Sequence, residues 1–265
     1  MNMLAVNKAY FIHFFEQHFS SRRGEATALD FGCGKGDVVR DACARGYRFC
    51  GLESHYGTEC TRSNYQHYPP PDLPAYIYLY NGHERFPFED GSFDFIFSNQ
   101  VFEHIEHLDN TLNELYRILK PGGLMIHNFP SREYIIEGHS GIPWVHRIRN
   151  RRRREQVAWL WFHLRLGVKA PAGTNYEAWV HDILDFIERY CFYRPECVMR
   201  HAFQQHFRVR RGDKGKLLYH LAAHASPTRR VLRVLVALTP ARLINLVEKR
   251  RGSITFICEK LAECR

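Results

Sequence analysis

Residues 26–44, ATALDFGCGKGDVVRDACA, decide the reading of the fold. Ala26 to Phe31 is a short apolar run that halts at glycines, the pattern of a parallel strand buried on both faces. From Asp37 to Ala44, the apolar Val38, Val39, Ala42 and Cys43 share one helical face. Between these elements Gly32, Gly34 and Gly36 alternate, so the backbone can approach a ligand where a Cβ would clash. A strand, a glycine loop and a helix in that order place a ligand beyond the carboxyl end of the strand. The spacing also separates ligand classes. Counting the dinucleotide fingerprint G-x-G-x-x-G from Gly32, the third glycine falls on Asp37, a carboxylate that would face a pyrophosphate. The spacing D-x-G-x-G-x-G, led by Asp30, favours a group that is cationic or neutral at this point.

Strands and helices alternate outward from this stretch. Tyr47 to Leu52 reads as a second strand ending at Glu53, where a carboxylate can accept hydrogen bonds from both hydroxyls of a ribose. A helix is expected over about 56–68, ended by Pro69, Pro70 and Pro71. Further strands are expected over 76–80, 93–98 and 124–129. A helix from about Leu108 to Leu119 turns Leu108, Leu112, Leu115, Tyr116 and Leu119 inward and is stopped by Pro121, Gly122 and Gly123. This alternation predicts an α/β protein with a doubly wound parallel sheet.

The whole chain is consistent with that class. It has 265 residues, 45% apolar and 25% charged, which excludes a largely disordered protein. Eight cysteines without a C-x-x-C pair argue against a zinc ribbon and for reduced thiols in the cytoplasm. The N-terminal apolar stretch is broken by Lys8, His13 and Glu16, which fits an amphipathic helix and not a secretory segment. No apolar run approaches the length needed to span a bilayer. Charge divides unevenly. Residues 1–130 hold 11 Lys/Arg against 16 Asp/Glu, and residues 131–265 hold 26 against 12. That asymmetry predicts two jobs in one chain, the second meeting something anionic.

Residues 28–130 resemble class I S-adenosylmethionine-dependent methyltransferases of the small-molecule type. The matching pieces are LDFGCGKG, GLES, ERFPFEDGSFDFIFSNQVFEHI and LNELYRILKPGGLMI, in the order and spacing of that family. The resemblance implies a Rossmann-like, mostly parallel seven-stranded sheet and S-adenosylmethionine as cofactor. It implies that Asp30, Gly32, Cys33 and Gly34 lie along the methionyl part, with Gly36 turning the loop into the helix. Glu53 would take the ribose, Gly82, His83 and Glu84 would flank adenine, and Asn99 would meet the methionyl end through its backbone. One position departs from the family. Gly82 stands where similar enzymes carry an aspartate, so the adenine amino group must be met by Glu84 or by backbone.

His104, in the segment QVFEHIEH after the fourth strand, is the candidate catalytic base for a hydroxyl acceptor. Glu103, His104 and His107 also admit a metal reading. Gln100, where a related metal-binding cluster has a glutamate, removes a charged ligand, so no metal is expected.

The chain is expected to divide into a cofactor-binding core (1–130), a helical cap that binds the acceptor (131–205) and a C-terminal part (206–265). The last part would close the sheet with strands at 206–211 and 253–258, the final one antiparallel. His139, Trp144, His146 and Arg151 are the acceptor-binding candidates. The arginine cluster at 147–154 suits phosphate or carboxylate. Residues 229–251 form two basic amphipathic helices divided by Pro240, suited to peripheral contact with an anionic membrane.

These features predict methyl transfer to a small or lipid-linked metabolite, at a hydroxyl, with a phosphate or prenyl-diphosphate group on it explaining the arginines. The chain would work in the cytoplasm, reaching the inner membrane surface at its periphery. Two other readings stay open. One is an RNA methyltransferase, disfavoured because no RNA-binding module is visible and the arginines cluster instead of forming a stripe. The other is a cofactor binder without turnover.

Overall fold

The computed structural model describes residues 3–54, 76–80, 85–170, 173–223 and 226–260, with side chains from Lys8 onward. The helix expected over 56–68 lies outside the described residues. Seven strands form one sheet: β1 (Thr27–Phe31), β2 (Arg48–Ser54), β3 (Ile77–Tyr80), β4 (Phe93–Asn99), β5 (Leu119–Phe129), β6 (Arg208–Arg211) and β7 (Ile254–Glu259). Their order is β3-β2-β1-β4-β5-β7-β6. Pairings from β3 through β5 are parallel, and β7 runs antiparallel to both β5 and β6. The order reverses between β1 and β4, which opens a crevice above their carboxyl ends.

Both faces of the sheet are covered, as buried parallel strands require. On one face, helices α1 (Met3–His18) and α2 (Asp37–Ala44) pack Phe11, Phe14, Phe15, Val39 and Ala42 on Phe49, Phe95 and Phe97. On the other, α3 (Leu108–Ile118) brings Leu112, Leu115 and Ile118 against Ile96, Met125 and Phe129. β5 starts at Leu119 and takes in the Pro-Gly-Gly turn, five residues before the strand expected from Leu124.

Within residues 131–205, where a cap is expected, the chain forms α4 (Arg151–His163) and α5 (Tyr176–Tyr190). They share a separate apolar cluster of Ile142, Val145, Ala158, Trp179, Ile183 and Ile187. A further helix, α6 (Glu196–Gln204), falls inside the expected cap range, yet its Met199 and Phe203 pack with the sheet core and α3. The chain between β6 and β7 forms α7 (Asp213–Ala222), α8 (Pro227–Leu238) and α9 (Ala241–Arg251). Among the described residues no helix is long and apolar enough to cross a membrane.

Candidate active site

The loop after β1 turns on three left-handed glycines, with φ of +75° at Gly32, +55° at Gly34 and +71° at Gly36. Two of them also lack room for a side chain. A Cβ on Gly32 would come within 2.3 Å of Val101 Cγ2, and one on Gly36 within 2.3 Å of Ile77 Cδ1. Gly34 instead has open space before it, at the wall of a cavity of about 220 Å³. That cavity is lined by Gly32, Gly34, Glu53, Tyr80, Val101 and His104, among others. Cys33 turns its thiol over Gly51 of the neighbouring strand, a position that tolerates no Cβ.

Glu53 ends β2 and braces the loop. Its Oε2 accepts from the Gly34 N–H at 2.6 Å and its Oε1 from the Ser54 N–H at 3.1 Å. Burial nevertheless pushes its carboxyl up to about 7, against those two donors. Burial, and then the neighbouring Glu53, pushes Asp30 up to about 8. Glu53 lines the cavity and Asp30 lies buried just behind its Phe31 wall, and each is more easily ionised if a positive charge arrives. Asn99 is bonded sideways, its Oδ1 accepting from Asn128 Nδ2 at 2.8 Å, and the β4 loop lines the cavity through Gln100 and Val101. Gly82, His83 and Glu84 lie outside the described residues.

His104 lines the same cavity. Its Nδ1–H donates to the Tyr190 carbonyl at 2.6 Å, which sets the neutral tautomer with Nε2 as the basic nitrogen. His107 lines a different groove, with Asp109 and His201, so the two histidines do not share a site. The structure brings His139 to His104 instead, with ring centroids 5.1 Å apart. His139 is held by Glu137, which is fully buried. Glu137 Oε1 accepts from His139 Nδ1 at 2.7 Å and from the Tyr193 hydroxyl at 2.6 Å, and its Oε2 accepts from the Ser140 N–H at 2.6 Å. Burial alone would raise this carboxyl. The hydrogen bonds from His139, Tyr193 and Ser140 outweigh it and hold the group well below the usual carboxylate range. Cys191 lies 3.8 Å from His139 Nδ1 and 4.0 Å from His104 Nδ1. The ligating atoms of His104, His139 and Cys191 lie within 4.8 Å of one another, a grouping different from the Glu103–His104–His107 set considered in the sequence.

The other acceptor candidates are placed differently. His146 donates through Nε2 to the Arg132 carbonyl at 3.1 Å and rests on Tyr193, whereas Trp144 is 48% exposed. Arg151 does not line the cavity. It pairs with Glu155 (3.0 Å), Asp185 (2.7 Å) and Glu188 (2.9 Å), and Arg154 with Glu188 (2.7 Å), so both tie α4 to α5. Glu137, Tyr190, Cys191 and Tyr193 were not singled out in the sequence. Only Glu137, two residues before His139, left a local trace there.

These residues suit S-adenosylmethionine. A glycine cradle opens on the cavity at Gly34, Glu53 offers a carboxylate to a diol, and Asp30, buried behind the Phe31 wall, adds a second acid that a nearby cation would ionise.

Comparison with known proteins agrees. The family model described as a methyltransferase domain matches residues 29–127. The chain is 31% identical to a sterol 24-C-methyltransferase of Pneumocystis carinii over 42% of this chain and 29% of that protein. It is 43% identical to malonyl-[acyl-carrier protein] O-methyltransferase 1 of Coxiella burnetii over 23% of this chain and 22% of that protein. The chain therefore spans less than a third of the length of either relative. A solved geranyl diphosphate methyltransferase in complex with S-adenosylmethionine aligns with 96% of this chain and 85% of its own, at 16% identity and a TM-score of 0.48. With the glycine loop, the buried acids and the β3-β2-β1-β4-β5-β7-β6 sheet around the matched segment, residues 29–127 form a methyltransferase domain of the class I S-adenosylmethionine-dependent kind, whose cofactor is S-adenosylmethionine.

Proposed function

We propose that this chain transfers a methyl group to a hydroxyl of a small or lipid-linked acceptor. The observation that carries the reading is His104, at the wall of the cofactor cavity with its proton fixed on Nδ1 by the Tyr190 carbonyl. S-adenosylmethionine supplies a methyl group already activated on a sulfonium. The chain must align an acceptor and handle its proton, and alignment is worth roughly 7–11 kcal/mol. Asp30, Gly32, Gly34 and Glu53 hold the cofactor, and Glu53 accepts from its ribose. His104 Nε2 takes the hydroxyl proton, a contribution of about 10²–10⁴ in rate. Glu137 keeps His139 oriented beside it, with Nδ1 bonded to the carboxylate.

The acceptor lies between this wall and the cap. Relatives named for a sterol and for malonyl-[acyl-carrier protein] support an acceptor of the lipid or carrier-linked kind. The phosphate on that acceptor keeps no support from Arg151, whose charge is met by α5. A lipid-linked acceptor would be met at a bilayer, and the exposed apolar side chains of α8 and α9 support that encounter.

The test is transfer of label from methyl-labelled S-adenosylmethionine into a membrane-lipid extract, with the product treated by base to separate esters from ethers. The expected result is a labelled lipid or small alcohol derivative, lost in His104→Ala. Labelled RNA, or cofactor binding with no labelled product from extracts of any class, would overturn the proposal.

A further inference from the structure

Amphipathic helices of globular proteins turn their apolar stripe inward. Helices α8 and α9 do the reverse. On α8, Val231, Val234, Leu235 and Leu238 recur at i, i+3, i+4 and i+7, one face of a helix. They are 61%, 59%, 54% and 77% exposed. Val236, on the far side, is only half-buried, and the helix contains no buried residue. On α9, Leu243, Leu246 and Val247 are likewise about half exposed, whereas Ile244, at the flank of that stripe, is buried. Only Thr239 and Pro240 separate the two helices. So many large aliphatic side chains on one exposed helix pair mark a contact surface.

The charge of the pair indicates what it contacts. Residues 227–251 hold seven Lys/Arg against the single acid Glu248. Lys249 is turned inward, 3.0 Å from Glu133 and 3.3 Å from Glu196. Arg230, Arg233, Arg242, Arg250 and Arg251 are exposed. A second copy of the chain docked on this face would bring two sets of arginines together in a low-dielectric contact, which costs free energy. An anionic bilayer offers opposite charge to the arginines and hydrocarbon to the aliphatic stripe.

We infer that α8 and α9 dock the protein on an anionic lipid bilayer, with Val231, Val234, Leu235, Leu238, Leu243 and Leu246 entering the headgroup–acyl boundary. The inference stands on the helix faces and does not depend on the methyl-transfer reading.

The experiment is co-sedimentation of the full chain with phosphatidylcholine vesicles, with and without phosphatidylglycerol. The protein is expected to partition onto the anionic vesicles and to be released by salt. Arg230→Gln is expected to weaken binding about fivefold. Leu235→Glu with Leu238→Glu is expected to abolish it at unchanged thermal unfolding, because both side chains are solvent-facing. Failure to bind anionic vesicles at low salt, or equal binding to pure phosphatidylcholine, would overturn the inference. So would self-association that the leucine variant abolishes, which would make this face an interface between copies. A thermal shift with S-adenosylmethionine, run in parallel, tests the cofactor site separately. Vesicle binding without that shift would count against the methyl-transfer reading and leave the docking inference standing.

Discussion

Cofactor affinity is expected to depend on pH through Glu53. Burial pushes this carboxyl up to about 7, so at pH 6 about nine tenths of it is protonated in the free protein. The ribose hydroxyls are best met by the ionised form, which accepts both, and the sulfonium cation favours ionisation of Asp30, pushed up to about 8. Binding of S-adenosylmethionine should therefore release protons. From the Glu53 value alone, Kd should weaken about tenfold between pH 8 and pH 6, or ~1.4 kcal/mol. Asp30 should steepen that slope for S-adenosylmethionine more than for S-adenosylhomocysteine, which lacks the sulfonium charge. Glu53→Gln cannot ionise, so its profile should lose the Glu53 part of the slope. Its Kd should be weaker by about 10² at pH 8, from two charge-assisted hydrogen bonds of about 1.5 kcal/mol each. Stability of the free protein moves in the opposite sense. Both carboxyls have raised folded-state values, so their contribution to folding is full below about pH 4 and is lost as pH rises through 7 to 8. Calorimetric titration at pH 7 in two buffers of different ionisation enthalpy counts the protons directly. A Kd that is flat from pH 6 to 8, with no proton released, would refute this account of the buried acids.

Other perturbations separate the roles of the remaining residues. Gly32→Ala places a Cβ 2.3 Å from Val101 Cγ2 in a left-handed backbone, so thermal unfolding should show a loss of at least ~1–2 kcal/mol, together with weakened cofactor binding. His104→Ala should lower turnover by about 10²–10⁴ while calorimetry gives a cofactor Kd within about twofold of the original; a matching loss of affinity would make His104 a cofactor ligand instead. Glu137→Gln sets an amide N–H₂ against donors that now converge on a carboxylate. It should cost about 3 kcal/mol or more, read as a fall in Tm of roughly 6–12 °C. Arg151→Ala should cost ~1 kcal/mol through its partly exposed ion pairs with α5 and leave the acceptor KM unchanged, whereas a raised KM would return it to the acceptor site.

Much of the core was legible because its signals are local. An apolar run ending in alternate glycines announces β1 and its turn, and α2 spans Asp37–Ala44 as its apolar spacing indicates. The pattern failed where a buried helical face is polar. Helix α7 passed unread because two of its inward side chains are charged. Asp213 accepts from the Thr255 N–H at 2.9 Å, and Lys216 donates to Asn128 Oδ1 and the Ser253 carbonyl, each at 2.9 Å. Helix α6 went unread for a different reason: it is short, and only Met199 and Phe203 are buried.

The sequence alone determined the alternating strands and helices and the glycine loop, since strand, turn and helix propensities act over a few neighbouring residues, and the cofactor class came from the resemblance of residues 28–130 to a known family. Only the tertiary structure could bring His104, Glu137, His139 and Cys191 together, because up to 87 residues separate the atoms that meet. It also assigned the arginines. The same side-chain type pairs with α5 at Arg151 and lies exposed at Arg230 and Arg233. The spacing of apolar residues likewise defines the stripe on α8, but the stripe's direction depends on what surrounds the helix. Here the packing turns it outward, since local periodicity sets which residues share a face and long-range packing sets where that face points.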